Sequence, residues 1–193
     1  MAEAAEKGYD FAGRAAEAAQ RGDLTGAVAL YAEGLEVVAP FEGRNLTHQG
    51  VSVDNMLQHG LSALLGNISV VLEPQTVEVE PFSSQIYPVK VRVQSGTTPL
   101  ASIPLTARFT EGAGRLTTPA ATSVAGESTF SVSDITSRNP VQSVLVTADL
   151  ESLLKAYRGK AAEKILNKYV ATRPQVTLTL RIAAQGLTAY CRY

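Results

Sequence analysis

The chain has 193 residues, of which 45% are hydrophobic and 18% are charged, and its formal net charge is -1 at pH 7. This composition is too apolar for a disordered chain and is ordinary for a packed globular protein. A near-neutral charge also argues against nucleic-acid binding, which usually needs a basic excess on one face, so no nucleic-acid partner is expected.

The N-terminal stretch MAEAAEKGYDFAGRAAEAAQRGD is rich in alanine and charged residues. It lacks the apolar centre of a signal peptide. No apolar run in the chain approaches the roughly 20 residues that span a bilayer. The sequence therefore predicts no transmembrane segment, although it remains compatible with a mature or excised piece of an exported protein.

Residues 1–66 are predicted to be helical. Gly22 is a suitable helix stop and Asp23 a suitable N-cap for the next helix. That second helix, LTGAVALYAEGLEVV, carries apolar residues at helical spacing and ends before Pro40. A third helix is expected from Ser52 or Val53 to Leu65.

The first two helices resemble a tetratricopeptide helical hairpin. The residues at its small, turn and aromatic positions are Ala18, Gly22, Asp23, Ala27, Tyr31 and Ala32. Small residues allow two antiparallel helices to approach closely. The match covers about one repeat, whereas stacked repeats normally need about three, so the hairpin is expected to serve as a packing element.

From Ile68 onward the hydrophobic period changes to two. ISVVLEP, QTVEVEP, IYPVKVRV, IPLTARFT, STFSVSDI and VQSVLVTADL alternate apolar and polar residues between clusters of Pro, Gly, Ser and Thr. Several short alternating strands with such punctuation are typical of a β-sandwich.

Within that region, the order of the turn residues resembles the bacterial Ig-like repeat of invasin and intimin adhesins. The matching residues are Pro99, Leu100, Ile103, Pro104, Leu105, Phe109, Gly112, Gly114, Leu116, Thr122, Gly126 and Phe130. Pro104 suits a strand start, and Gly112 and Gly114 suit a reversal with positive φ. The resemblance implies an Ig-like sandwich over residues 68–150. This chain has one such copy, whereas adhesins carry tandem arrays of them.

The C-terminal part begins with a basic, amphipathic stretch. Between Glu151 and Arg173 there are six Lys or Arg residues and two Glu, so an anionic partner would most plausibly bind there if that charge is functional. The inward face is predicted to carry Leu154, Tyr157, Ala161, Ile165 and Tyr169. Gly159 weakens the middle of this helix and is a candidate break. PQVTLTLRIAA then returns to strict alternation.

Together these patterns predict an α+β fold in two parts. Residues 1–66 form a helical hairpin region. Residues 67–193 form an Ig-like antiparallel β-sandwich with an inserted helix over 151–171 and a final strand over 175–183.

No catalytic or metal-binding constellation is recognisable. His48 and His59 lack a completing ligand set for zinc, and Cys191 stands alone near the C-terminus. There is no phosphate-binding loop, dinucleotide fingerprint or nucleophile elbow. The chain is therefore predicted to be non-enzymatic and to use no cofactor and no metal.

The resemblances imply a binding or structural module of a bacterial cell-envelope protein, similar in plan to surface and periplasmic lipoproteins. Its expected place is the envelope, the periplasm or the exterior, and its expected partner is a protein or an envelope component. Tyr31, Phe41 and Arg44 are the candidate partner-binding residues, because the linker after Pro40 joins the helical and sheet layers. An enzyme with dispersed active-site residues and an accessory domain of a longer lipoprotein remain as alternatives, and the oligomeric state is open.

Overall fold

The computed structural model describes residues 1–183 and has an α+β fold, which confirms the predicted class. Cys191 lies outside the described residues. Helical segments of the described range are α1 (Ala2–Gln20), α2 (Leu24–Val38), a 3-10 turn (Ala39–Phe41), α3 (Val53–Gly66), α4 (Glu151–Ala156) and α5 (Glu163–Ala171). Its strands are β1 (Thr47–His48), β2 (Val51–Ser52), β3 (Ile68–Glu73), β4 (Thr76–Val79), β5 (Tyr87–Ser95), β6 (Thr98–Pro99), β7 (Leu105–Glu111), β8 (Arg115–Leu116), β9 (Glu127–Ser133), β10 (Val141–Ala148) and β11 (Gln175–Ile182).

Helices α1 and α2 form an antiparallel hairpin around a reversal at Gly22. The Asp23 carboxylate accepts a hydrogen bond from the Gly26 N–H at 2.9 Å, so it caps α2 as the sequence predicts. Glycines let the two helices approach closely. A Cβ on Gly8 would lie 3.0 Å from Val38, at the opposite end of the hairpin.

One stretch of this region, Leu24–Phe41, meets the length and composition criteria for crossing a membrane. It has 18 residues with a mean hydropathy of 1.3, and 44% of it is buried inside the fold. The core helix of a globular protein satisfies the same criteria, so the expectation that the chain has no transmembrane segment stays a prediction.

Two larger sheets follow the helices. One has the strand order β3-β5-β9-β8, with β6 added to β5, and the other has the order β4-β11-β10-β7. All pairings are antiparallel except that of β4 with β11, which is parallel. The second sheet therefore combines strands from the start and the end of the β region.

The strands bury alternate residues, as a period of two requires. Val89, Val91 and Val93 of β5 are buried, while Lys90 is exposed. Leu178 and Leu180 of β11 are fully buried, so the predicted final strand contributes to the core. The inward faces of both sheets belong to one hydrophobic core.

The helical region shares that core and is hydrogen-bonded to the sheets. The Ala101 N–H donates to the Gly22 carbonyl at 3.1 Å, and the Ser95 hydroxyl donates to the Leu64 carbonyl at 2.8 Å. Leu57 and Leu61 of α3 are fully buried in the same cluster as the sheet residues. Residues 1–66 are therefore packed against the β region rather than tethered to it.

The helix expected over residues 151–171 is divided into two helices, α4 and α5, at the break for which Gly159 was the candidate. Gly159 adopts a φ of +73° between them, a backbone conformation that α-helix excludes and glycine tolerates. The break changes which residues face inward. Leu153, Ala162, Leu166 and Val170 are buried. Of the predicted inward stripe, Ala161 is exposed, and the other four residues are partly buried against the core: Leu154, Tyr157, Ile165 and Tyr169.

The two glycines before β8 have different roles. Gly112 has a φ of +94°, as predicted for a reversal. Gly114 does not have a positive φ, so that part of the prediction was wrong. A Cβ on Gly114 would lie 3.0 Å from both the Phe109 ring and the Ser133 carbonyl oxygen, so a larger residue there would crowd both groups.

Candidate functional site

A groove of about 680 Å³ lies between the end of α2 and the connection from α4 to α5. Its lining residues come from three places: the α2 end with the turn after it, the first turns of α3, and the α4–α5 connection. They are Leu35, Glu36, Val38, Ala39, Phe41, Glu42, Arg44, Leu46, Asp54, Gln58, Gly159, Lys160, Ala161, Glu163, Lys164 and Ile165. The insertion in the β region and the helical hairpin thus build the groove jointly.

The first wall of the groove is the compact turn that follows α2. The Arg44 N–H donates to the Phe41 carbonyl at 3.0 Å, and Gly43 between them has a φ of +80°. This turn leaves the Phe41 ring half-buried and the Arg44 side chain exposed, and Leu46 behind them is buried. Two of the three candidate residues from the sequence, Phe41 and Arg44, therefore line the same groove.

The second wall is the α4–α5 connection, and two carboxylates fix its backbone. The Gly159 N–H donates to Glu163 at 2.9 Å, and the Ala161 N–H donates to Glu36 of α2 at 2.6 Å. Ala162 and Leu166, directly after this connection, are fully buried. Since Glu36 belongs to the hairpin, its hydrogen bond joins the two walls of the groove.

Charges of both signs line the groove. The carboxylates of Glu36 and Glu163 accept backbone hydrogen bonds, and that of Asp54 accepts from the Gln58 amide at 3.1 Å. The cations are Arg44, Lys160 and Lys164. Within residues 1–183 none of these three forms an ion pair. The basic segment singled out in the sequence thus contributes two of the groove's free cations.

Tyr31, the third candidate residue, lies elsewhere. Its side chain packs against Gly60 of α3 in a second, shallower groove of about 310 Å³. Burial raises the pKa of the Tyr31 phenol above its ordinary value. The sequence placed Tyr31 correctly on the buried face of α2 but could not show that this face points away from Phe41 and Arg44.

The histidines do not belong to either groove. The His48 ring packs against the Tyr9 ring, with a centroid distance of 4.9 Å, and His59 is exposed on α3. In the part of the chain that the structure describes, no three His, Cys, Asp or Glu side chains are grouped so as to hold a metal ion.

A scan of protein-family models and a search of curated proteins give no match to this chain. Among solved structures, the chain is similar to one described as the structure of WR4, a C. elegans MSP family member. The sequence identity is 11%, and the likeness covers 59% of this chain and 97% of that chain with a TM-score of 0.35. A TM-score this low assigns neither a fold family nor a function.

Proposed function

We propose that the two sheets form an Ig-like sandwich whose last loop carries the α4–α5 insertion. In the constant-type Ig fold, strands A, B, E and D form one sheet and strands C, F and G form the other. The order β3-β5-β9-β8 fits A-B-E-D, and β7, β10 and β11 fit C, F and G in both neighbours and chain order. β4 is then the second half of the first strand, lying parallel to β11.

On this scaffold the chain acts as a non-enzymatic binding module, and its groove takes an extended segment of a partner protein. The observation that carries this proposal is the joint lining of one groove by the Phe41 ring, the Arg44 guanidinium and the two lysines of the α4–α5 connection. Aromatic side chains, phenylalanine included, and arginine are enriched in protein interfaces relative to the rest of the surface.

The chemistry of the groove defines the kind of segment that fits. An apolar side chain would pack on Phe41 and the buried Leu46, while acidic side chains would pair with Arg44, Lys160 and Lys164. Four carboxylates line the groove beside the three cations. Those of Glu36, Asp54 and Glu163 already accept hydrogen bonds from the chain itself, so they are less available to a ligand, and within residues 1–183 Glu42 alone has no such bond. The preferred partner is therefore an apolar–acidic peptide segment.

The sequence resemblance to bacterial Ig-like adhesin domains supports a place in the cell envelope, with an envelope protein or component as the partner. The same resemblance is compatible with a role as one domain of a longer lipoprotein. No specific observation favours the alternative of an enzyme with dispersed active-site residues.

The test is selection followed by affinity measurement. A phage library of random dodecapeptides is panned on the immobilised chain, and the enriched peptides are titrated by fluorescence anisotropy. We expect enriched peptides to contain an apolar residue beside acidic residues, and Phe41→Ala or Arg44→Ala to weaken their binding by about tenfold.

Matched control variants are available at the other end of the β region. Phe82 is exposed between β4 and β5, and the Arg138 guanidinium lies 5.4 Å from its ring centroid. Phe82→Ala and Arg138→Ala remove the same side chains outside the groove and should leave the affinity unchanged. The proposal fails if no peptide is enriched or if both pairs of variants weaken binding equally.

A further inference from the structure

Strand β7 is an edge of its sheet. It pairs with β10 on one side, and among residues 1–183 no strand pairs with its other side. An uncovered edge presents unpaired backbone N–H and C=O groups, which are a template for adding a further strand.

The register identifies which backbone groups point outward. The Asp149 N–H donates to the Pro104 carbonyl at 2.8 Å, so Pro104 and Asp149 form a closely hydrogen-bonded pair. In an antiparallel ladder such pairs alternate with pairs whose N–H and C=O groups face away. The backbone groups of Leu105, Ala107 and Phe109 therefore face outward, while those of Thr106 and Arg108 bond to β10.

A second hydrogen bond supports this assignment. Ala148 is paired with Leu105, and its N–H donates to the Pro174 carbonyl, away from β7. Leu105 and Ala148 are thus a non-hydrogen-bonded pair, as the alternation requires. The irregularity in the ladder lies between Ser143 and Val144 and begins only beyond Phe109.

The side chains of β7 define the chemistry of this edge. Leu105 is buried, and Ala107 and Phe109 are partly exposed on the same inward face. On the outer face Arg108 is exposed between Thr106 and Thr110 and forms no ion pair within the described range. An added strand would cover the inward side chains with apolar residues and meet one uncompensated positive charge.

We propose that β7 accepts an extended partner strand with alternating apolar residues and a carboxylate opposite Arg108. This is recognition by strand addition, in which backbone hydrogen bonds supply affinity and alternate side chains supply specificity. On its outer side Arg108 occupies a non-hydrogen-bonded position, where opposing Cα atoms are only about 4.5 Å apart and side chains come closest. A Glu or Asp there forms a direct cross-strand ion pair.

A second copy of the chain is a poorer occupant than an acidic strand. Antiparallel pairing of two β7 strands uses all three outward residues only when it is centred on Ala107. Arg108 would then lie opposite Thr106 of the other copy, with the two arginines on a diagonal about 7–8 Å apart. That arrangement offers no carboxylate to Arg108 and adds a like-charge contact.

The probe is the peptide Val-Thr-Val-Glu-Val-Thr-Val flanked by Gly-Ser pairs, titrated into the full ¹⁵N-labelled chain. Its central symmetry places Glu opposite Arg108 in either strand direction. We expect slowed hydrogen exchange at the Leu105, Ala107 and Phe109 amides. The matched peptide with Lys in place of Glu should bind about threefold more weakly or worse.

Two variants test the assignment independently. Arg108→Glu should reverse the preference, so that the Lys peptide binds more tightly. Ala107→Pro removes an outward N–H that β10 does not use, and it should lower the affinity by about tenfold while the fold is retained. Phe41→Ala and Arg44→Ala lie in the groove and should leave binding of this peptide to β7 unchanged. The proposals for the groove and for β7 can therefore be refuted independently.

The proposal is overturned if the peptide protects amides other than those three or if Arg108→Glu leaves the order of the two peptides unchanged. It is also overturned if the same amides become protected without peptide as the protein concentration rises, because the occupant is then a second copy.

Discussion

Thr122 joins two segments that are distant in sequence. Its hydroxyl accepts from the Ile103 N–H at 2.9 Å and donates to the Leu100 carbonyl at 2.7 Å. Its backbone accepts from the Ser102 N–H and donates to the Ile103 carbonyl. The side chain is buried. Thr122 therefore joins the segment before β7 to the loop before β9 through its hydroxyl and its backbone.

Thr122→Val keeps the side-chain shape and deletes the hydroxyl. The buried Ile103 N–H and Leu100 carbonyl then lose their partner, which should lower the free energy of unfolding by about 1–3 kcal/mol. Urea denaturation followed by circular dichroism measures this loss. The control is Thr118→Val, at an exposed threonine of the same loop, where the change should stay within about 0.5 kcal/mol. Equal losses in both variants would contradict the role given to Thr122.

At the scale of elements, the α1–α2 turn is where the hairpin meets the sheets. Gly22 has a φ of +76°, and a Cβ there would collide with the Pro99 carbonyl oxygen at the end of β6. The same turn accepts the hydrogen bond from the Ala101 N–H. The residue that terminates α1 is thus also in close contact with the sheet region.

Gly22→Ala should therefore lower the free energy of unfolding by more than the penalty for placing alanine at a positive φ. Gly43 has a similar φ of +80° but no atom within 4 Å of its Cβ position, so Gly43→Ala isolates the left-handed penalty of about 1–2 kcal/mol. Gly22→Ala should lose about 1–3 kcal/mol more, because its collision involves backbone. Thermal and urea unfolding of both variants give the comparison. Equal losses in the free energy of unfolding would mean that the turn is not in tight contact with the Pro99 carbonyl.

The sequence predicted the elements better than their arrangement. Asp23 capping α2, and the alternation along β5 and β11, follow from local patterns that a single segment carries. The parallel pairing of β4 with β11 joins residues about a hundred positions apart, and no local pattern records a partner. For the same reason the sequence grouped Tyr31 with Phe41 and Arg44, although Tyr31 on α2 lines one groove and the turn after α2 places Phe41 and Arg44 in the other.

The inserted segment was predicted in the right place. Four residues of its predicted stripe, Leu154, Tyr157, Ile165 and Tyr169, are partly buried against the core, but Ala161 at the break is exposed. A stripe extrapolated through Gly159 assumes continuous helical rotation, and the positive φ of that glycine interrupts the rotation. The groove depends on this interruption, because Lys160 and Ala161 belong to the break rather than to a helix. Periodicity alone could not have found this wall.

At the scale of the molecule, helices and sheets share one core. The Ser95 hydroxyl joins β5 to α3, and the Glu36 carboxylate joins α2 to the α4–α5 connection. We expect a single cooperative unfolding transition, because unfolding of either part would expose the core residues that the other part buries. Far-ultraviolet circular dichroism, dominated by helix, and the NMR amide signals of β5 and β11, which report on the sheets, should give the same midpoint. Separate midpoints for helical and sheet signals would show two independent units.

The claim on which the proposed function depends is that this shared packing creates one binding groove. Its most direct test is an NMR titration of the full ¹⁵N-labelled chain with a peptide enriched by the phage selection. The amides of Phe41, Arg44, Lys160 and Ala161 should shift together along one binding curve, because they line the two walls of the same groove. Shifts confined to one wall, or centred on residues outside the groove, would contradict the account.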